Sequence, residues 1–301
     1  SLENAIAVLN ATGGSTNAVM HLTAVARELD IDPDIINHTP NVKFWQRWGA
    51  GFDHVDLKAW GERGIPIATC PGVNSGIVAE LAIMLMLAGY RNLLQINRQL
   101  RAGHWPRTEY FGRSFMIKGK TVGVLGLGHI GKKVAALASA FGANVIYYDI
   151  VRQPEQEEQF GYRFVDFDTL LKESDIFTIH CPLNEETRGM IGAAQFAKMK
   201  PTAMLINTAR GPIVDEAALI DALTTGRIAT AGLDTYEREP LPKDHPLLTL
   251  DNVVASAHAG GNTKDNDINM VNYVYHNIVA FDRGEPLNTP GDIVNGEYLK
   301  K

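Results

Sequence analysis

Cysteine is almost absent from this chain. Its 301 residues hold two, Cys70 and Cys181, far apart. That excludes a disulfide scaffold and a multi-cysteine metal site, and it suits a reducing compartment. Long apolar runs are also lacking. The most apolar stretch, Leu81 to Ala88, is far short of the ~20 residues that span a bilayer, so no membrane partner is expected. There is no basic block either. Lys+Arg number 28 against 34 Asp+Glu, a net charge of -6, which argues against nucleic acid. Neither an internal repeat nor a low-complexity tract occurs, and no basic-then-apolar leader opens the chain. The expectation is a cytoplasmic enzyme or binding protein without a metal. The remaining composition, 45% hydrophobic and 21% charged, is that of a globular protein. At roughly 150 residues per domain, the length suggests two domains or one large one.

The middle of the chain alternates two kinds of signal. Thr121 to Leu127 (TVGVLGL), Asn144 to Asp149, Tyr162 to Val165, Asp175 to Cys181, Ala203 to Asn207, Ile228 to Asp234 and Val253 to Ala257 read as strands. Helical segments separate several of them, including Lys132 to Phe141 and Asp215 to Leu223. Strands without in/out alternation, joined by helices, predict an α/β fold with a parallel sheet covered on both faces. A long helix is expected from about Gly76 to Arg101, and another from about Lys264 to Arg283. The second would bury a stripe of Ile268, Val271, Tyr275, Ile278 and Val279. Val42 to Trp48 and Pro66 to Cys70 read as strands of a second, smaller unit.

The strongest local motif is Gly126-Leu127-Gly128-His129-Ile130-Gly131. A bare G-x-G-x-x-G is weak, but this one follows a strand and opens a helix, the setting of a dinucleotide-binding turn. Gly126 permits the tight turn, Gly128 admits a pyrophosphate, and Gly131 lets helix and strand approach. Asp149 lies 18 residues past Gly131, at the end of the next strand. A carboxylate there accepts both ribose hydroxyls and repels a 2′-phosphate, which favours NAD over NADP. Arg152, three residues on, would soften that preference.

Three polar residues each follow a strand. Arg210 comes after AMLIN, Glu239 after IATAGLD, and His258 after VVASA. In a parallel sheet these carboxyl ends line the crevice that receives the dinucleotide. A guanidinium can hold a carboxylate bidentately, a histidine can donate a proton, and a glutamate beside it stabilises the imidazolium. Taken singly, an Arg after a strand is commonly a surface residue and a His a packing residue. Convergence is what gives these three meaning.

These motifs, with WGAGFDHVDL at Trp48 to Leu57, PGVNS at Pro71 to Ser75, HCPLNEETRGMI at His180 to Ile191 and INTARGPIVDEAAL at Ile206 to Leu219, resemble the D-isomer-specific 2-hydroxyacid dehydrogenases from about Asn37 onward. The members most alike are D-3-phosphoglycerate dehydrogenases and hydroxypyruvate or glyoxylate reductases. The resemblance implies a Rossmann-type NAD-binding domain (75–261), inserted into a smaller, flavodoxin-like substrate domain (37–74 and 262–301). It further implies that Arg210 binds substrate and that Glu239 and His258 form the acid/base relay. Asp234 would hold the nicotinamide carboxamide. Cys181 and Pro182 would lie beside the adenosine, with Thr187, Thr208 and Ala209 as further cofactor contacts. Gly49, Ala50, Gly51 and Asn74 would meet the substrate, a small 2-keto or 2-hydroxy acid. A homodimer through the Gly76–Arg101 helix is also implied.

Residues 1–36 depart from this pattern. Residues 1–30 resemble an internal stretch of dihydroxy-acid dehydratase, an iron–sulfur enzyme, yet hold no cysteine for a cluster. Two short helices broken at Gly13-Gly14 are expected there, with Ala5 to Leu9 also readable as a strand. They stand where the family has the opening strands of its substrate domain, so that domain reads as N-terminally incomplete. Turnover is therefore expected to be weaker than cofactor binding. The competing function is an NAD-sensing, corepressor-like binding protein, and retention of Arg210, Glu239 and His258 favours the enzyme.

Overall fold

The structure, a computed structural model, describes residues 41–53 and 55–299. The helices expected within 1–36 lie outside the described residues. The chain divides into two units. One runs up to Asn74 and resumes at Thr263; the other is Ser75–Asn262.

The smaller unit begins with β1 (Trp45–Gln46), α1 (Leu57–Glu62) and β2 (Ile67–Ala68). Asp56 starts α1 by accepting from the Ala59 N–H at 2.9 Å. β1 and β2 pair in parallel, Trp45 opposite Ile67 and Gln46 opposite Ala68. Both are shorter than the sequence suggests. Trp45, Trp60, Ile65 and Ile67 form their core.

The larger unit opens with α2 (Ser75–Tyr90) and α3 (Leu93–Arg101). The single helix expected over this stretch is broken, and the two parts bend by 63°. Asn92 causes the break. Its φ is +51°, a left-handed conformation that asparagine tolerates. Its amide donates to Arg113 O at 3.3 Å and Ser114 Oγ at 3.2 Å, contacts that local sequence does not announce. No single described helix is long and apolar enough to cross a membrane.

Seven strands follow. They are β3 (Thr121–Leu125), β4 (Asn144–Tyr148), β5 (Arg163–Phe164), β6 (Ile176–Ile179), β7 (Met204–Asn207), β8 (Thr230–Leu233) and β9 (Val253–Ala255). Between them come α4 (His129–Ala140), α5 (Pro154–Phe160), α6 (Phe167–Glu173), α7 (Ala193–Phe196) and α8 (Glu216–Thr224). The strand order is β5-β4-β3-β6-β7-β8-β9, all pairs parallel. The chain runs outward from β3 to β5, then returns to β6 on β3's other side. That reversal is the switch point where such sheets bind ligands.

Both faces of the sheet are covered, as the non-alternating strands require. On one face Ala79, Ala82, Leu85 and Met86 of α2 and Val134 and Ala138 of α4 pack on Val122, Tyr147, Ile176 and Met204. On the other, Leu170, Leu171, Phe196, Leu219 and Leu223 cover Ile146, Phe177, Leu205 and Ala231. Burying each large apolar side chain contributes roughly 1.5–3 kcal/mol.

The chain then returns to the smaller unit through α9 (Lys264–Arg283), capped by Thr263, whose side chain accepts from the Asn266 N–H. Its buried residues are Asn266, Met270, Val271, Val274, Asn277 and Ala280, whereas Ile268 and Tyr275 are exposed. The expected stripe is thus rotated, because a polar network selects the inner face. Asn277 donates to Gln46 Oε1 and to Asp292 Oδ2, each at 2.9 Å, and Tyr273 donates to Asp292 Oδ1 at 2.6 Å. The last described segment lies along β2. The Val294 N–H donates to Ile67 O at 2.9 Å, and Ala68 bridges Ile293 antiparallel. β2 is therefore flanked on both sides, by β1 and by this segment.

Candidate active site

The glycine turn is built by close approach. Gly126 has a φ of +89°, and a Cβ there would lie 2.7 Å from Cys181 N. A Cβ on Gly131 would overlap Gly126 O, so helix α4 meets the turn with no room for a side chain. Gly128, by contrast, faces open space and is the N-cap of α4 without a side-chain cap bond. The first N–H groups of α4, from His129 and Ile130 on, thus border an open position suited to an anion.

Asp149 stands at the mouth of this turn. Its Oδ2 accepts from the Leu127 N–H at 2.6 Å and its Oδ1 from the Val151 N–H at 3.1 Å. Cys181 backs the turn from β6's end. Burial first, and then the Asp149 charge, push its thiol up to about 11, which keeps it protonated. The next loop is folded on itself: Thr187 Oγ1 donates to Pro182 O at 2.7 Å and accepts from Asn184 N–H at 2.8 Å. At the end of β7, Ala209 N–H donates to Asn207 Oδ1 at 3.1 Å. Thr208 is buried, and its hydroxyl has no hydrogen-bond partner among the described residues.

The three strand-end residues come together. His258 Nδ1 lies 2.6 Å from Glu239 Oε2, and Glu239 Oε1 accepts from the Tyr236 N–H at 3.0 Å. Burial works to raise the Glu239 carboxyl. The hydrogen bonds from His258 and Tyr236, together with the Arg210 charge, outweigh it and hold the carboxyl below its usual range. Arg210 donates from Nη1 to Ala209 O at 2.7 Å, and its own carbonyl accepts from Asn207 Nδ2 at 2.9 Å.

Asp234 organises the histidine turn. Its Oδ1 accepts from Ser256 Oγ at 2.7 Å and Ala259 N–H at 2.8 Å, and its Oδ2 from Gly260 N–H at 2.9 Å. Three of about four lone-pair sites are thus used, leaving one on Oδ2 for an outside donor. His258 itself has a φ of +50°, an uncommon conformation for a residue with a side chain, fixed by its N–H donating to Asp234 O at 2.8 Å. Ser256, two residues before His258, was not evident from sequence as part of this arrangement. Neither was Glu216, which accepts from the Glu237 N–H at 3.2 Å and pairs with His245 Nε2 at 3.0 Å.

Gly49, Ala50, Gly51 and Asn74 belong to the smaller unit. Gly49 has a φ of +119°, and its carbonyl accepts from the Cys70 N–H at 2.9 Å. The N–H groups of Ala50 and Gly51 have no partner among the described residues.

Residues 83–260 match the NAD-binding domain of the D-isomer specific 2-hydroxyacid dehydrogenases. The chain belongs to this family. It is 42% identical over 263 residues to a D-3-phosphoglycerate dehydrogenase of Archaeoglobus fulgidus, covering 87% of this chain and 50% of that one. With a glyoxylate reductase of Korarchaeum cryptofilum it shares 39% identity over 90% of this chain and 81% of the relative. The solved holo form of Rhodotorula graminis D-mandelate dehydrogenase superposes with a TM-score of 0.82 at 33% identity, over 87% of this chain and 79% of that one. The chain thus spans half of the phosphoglycerate dehydrogenase relative and about four fifths of the other two.

The protein is accordingly an NAD-dependent oxidoreductase of the 2-hydroxyacid class. Its own residues fit the cofactor: the Gly126–Gly131 cradle that a Cβ would fill, the open helix end at Gly128, and the unpartnered Thr208 hydroxyl. Residues 1–42 match a different family, the N-terminal region of dihydroxy-acid/6-phosphogluconate dehydratases, slightly beyond the stretch expected from sequence.

Proposed function

We propose that this dehydrogenase interconverts a small D-2-hydroxy acid and its 2-keto acid, with Arg210, Glu239 and His258 as its catalytic residues. The 2.6 Å contact between His258 and Glu239 carries this reading. Glu239 occupies Nδ1, so Nε2 is left to face the substrate. In the imidazolium both nitrogens are donors, one to Glu239 and one to the keto oxygen. NADH, when bound, supplies the hydride. Arg210 holds the substrate carboxylate and polarises the adjacent carbonyl. In the smaller unit, Gly49, the N–H groups of Ala50 and Gly51, and Asn74 are the candidates for substrate contact. Asp149 accepts the adenosine ribose hydroxyls, and the free Asp234 lone pair accepts the nicotinamide amide. Cys181, Pro182, Thr187, Thr208 and Ala209 complete the cofactor's surroundings. The relatives' names, glyoxylate reductase and D-mandelate dehydrogenase, support a small 2-keto acid as the substrate class. The test is NADH oxidation across glyoxylate, hydroxypyruvate, pyruvate and phenylglyoxylate. Turnover on none of them, with NADH binding intact, would overturn the reading.

The free thiols support a cytoplasmic setting. A homodimer is supported by exposed apolar surface, most of it beyond α2. On α2, Val78, Ala79, Ile83, Leu85 and Met86 are buried within their own unit. Besides Met84 of α2 (51% exposed), the exposed side chains lie on α3 and after it: Leu93, Leu94, Trp105 (79%), Phe111 (73%) and Met116. A stretch this rich in exposed apolar side chains supports an association role.

A further inference from the structure

We propose that Glu157 sets the dinucleotide preference by holding Arg152 out of reach of the position a 2′-phosphate would take. The proposal rests on Asp149 facing the adenosine ribose. Arg152 is the nearest cation in sequence to Asp149, and an arginine there is the usual way to accept a 2′-phosphate. Here it is already engaged. Arg152 Nε donates to Glu157 Oε1 at 2.8 Å and Nη2 donates to Oε2 at 2.7 Å, a bidentate pair. The guanidinium also lies over the Phe164 ring, 5.6 Å from its centroid. The carboxylate neutralises the charge and occupies one full edge of the fork.

Glu157 is itself fixed. Its Oε1 accepts from Tyr147 Oη at 2.8 Å, and Tyr147 Oη accepts from the Gln153 N–H at 2.8 Å. Gln153 Nε2 donates to Leu127 O at 2.8 Å, so the chain of bonds ends in the glycine turn. Glu157 is 18% exposed and Arg152 61%, so the carboxylate is the anchored partner and the guanidinium the one that can swing. The Arg152 hydrogen bond lowers the Glu157 carboxyl to about 2, so the pair stays ionised across the physiological range. A dinucleotide with a 2′-phosphate therefore meets Asp149 with no compensating positive charge. Glu157 touches neither cofactor nor substrate in this scheme and acts through Arg152 as a positioning residue.

The test is fluorescence titration of NADH and NADPH, without substrate, for the wild type and four variants: Asp149→Ser, Arg152→Ala, Glu157→Gln, and Glu157→Gln with Arg152→Ala. Glutamine retains an acceptor for Tyr147 while removing the charge. Glu157→Gln should tighten NADPH binding roughly three- to tenfold, less at high salt, with NADH affinity within about twofold. Adding Arg152→Ala should abolish the gain. Arg152→Ala alone unmasks the Glu157 carboxylate and should weaken NADPH modestly, whereas the double variant, which lacks both charges, should match the wild type. Asp149→Ser tests the underlying reading separately by weakening NADH and narrowing the gap. If Asp149→Ser acts and Glu157→Gln does not, the proposal fails and the Asp149 reading stands. If the double variant binds NADPH more weakly than the wild type, Arg152 is already in use and the proposal also fails. If neither Asp149→Ser nor Glu157→Gln moves the ratio, both are wrong.

Discussion

A side-chain carbon on Gly211 would overlap the backbone carbonyl of Tyr236. The loop that carries Arg210 therefore lies backbone to backbone against the loop that carries Glu239. Gly211→Ala forces these loops apart. The expected cost is about 1–3 kcal/mol of stability, the usual range for overpacking. A displacement near 1 Å between Arg210 and Glu239 costs on the order of 10²-fold in kcat. Thermal melts, turnover and NADH titration on one preparation check this. Unchanged turnover would show that the loops yield elsewhere.

His258→Ala should lower kcat by roughly 10²–10⁴, the size expected for losing a general acid, with NADH affinity kept. Glu239→Gln leaves the Tyr236 N–H an acceptor but removes the charge opposite the imidazolium. It should move the decline of reduction to lower pH. The full pH–rate profile reads this directly. A His258→Ala enzyme with wild-type turnover would remove His258 from the mechanism.

His180 supplies a pH prediction for stability. Burial of its ring lowers its pKa to about 3; Nε2 lies 2.8 Å from Thr178 Oγ1, and Nδ1 is sealed without a partner. The unfolded chain, with an ordinary histidine near 6.5, takes up a proton that the folded protein refuses. Stability is therefore unaffected above about pH 6.5 and falls as pH drops toward 3, by at most ~1.4 kcal/mol per unit for one proton. His180→Gln should flatten that limb. Denaturant midpoints between pH 7 and 4.5 measure it, and identical slopes would exclude the ring as the source.

Trp105→Ser with Phe111→Ser removes the most exposed aromatic surface of the larger unit. Light scattering at micromolar concentration should show a dimer for the wild type and a shift toward monomer for the double variant. A wild-type monomer would leave these aromatics without an association role.

The strand–helix alternation was readable because fully covered strands carry unbroken apolar runs, as Ile176–Ile179 and Met204–Asn207 do. That Arg210, Glu239 and His258 follow neighbouring strands was readable for the same reason. The break at Asn92 was not, since it depends on Arg113 and Ser114, some twenty residues on. The inner face of α9 was misjudged because apolar periodicity is blind to a polar core. Asn277 and Asp292 are fully buried there, while Ile268 and Tyr275 are not. The Ile293–Val294 segment that lies along β2 of the smaller unit was not readable either. Sequence distance hid that pairing. Glu157's hold on Arg152 was likewise invisible, because it depends on where α5 points after its first turn.

The Ile67 N–H donates to Asn295 Oδ1 across 228 residues of chain. On a ribosome, β2 therefore emerges long before the segment that flanks it, and every strand of the larger unit is made in between. The NAD-binding unit can finish its sheet while the smaller unit still waits for its last strip. A nascent chain stalled before Asp292 would hold a complete glycine turn and an unfinished companion, with the apolar residues around Trp60 and Ile67 left for a chaperone to shield.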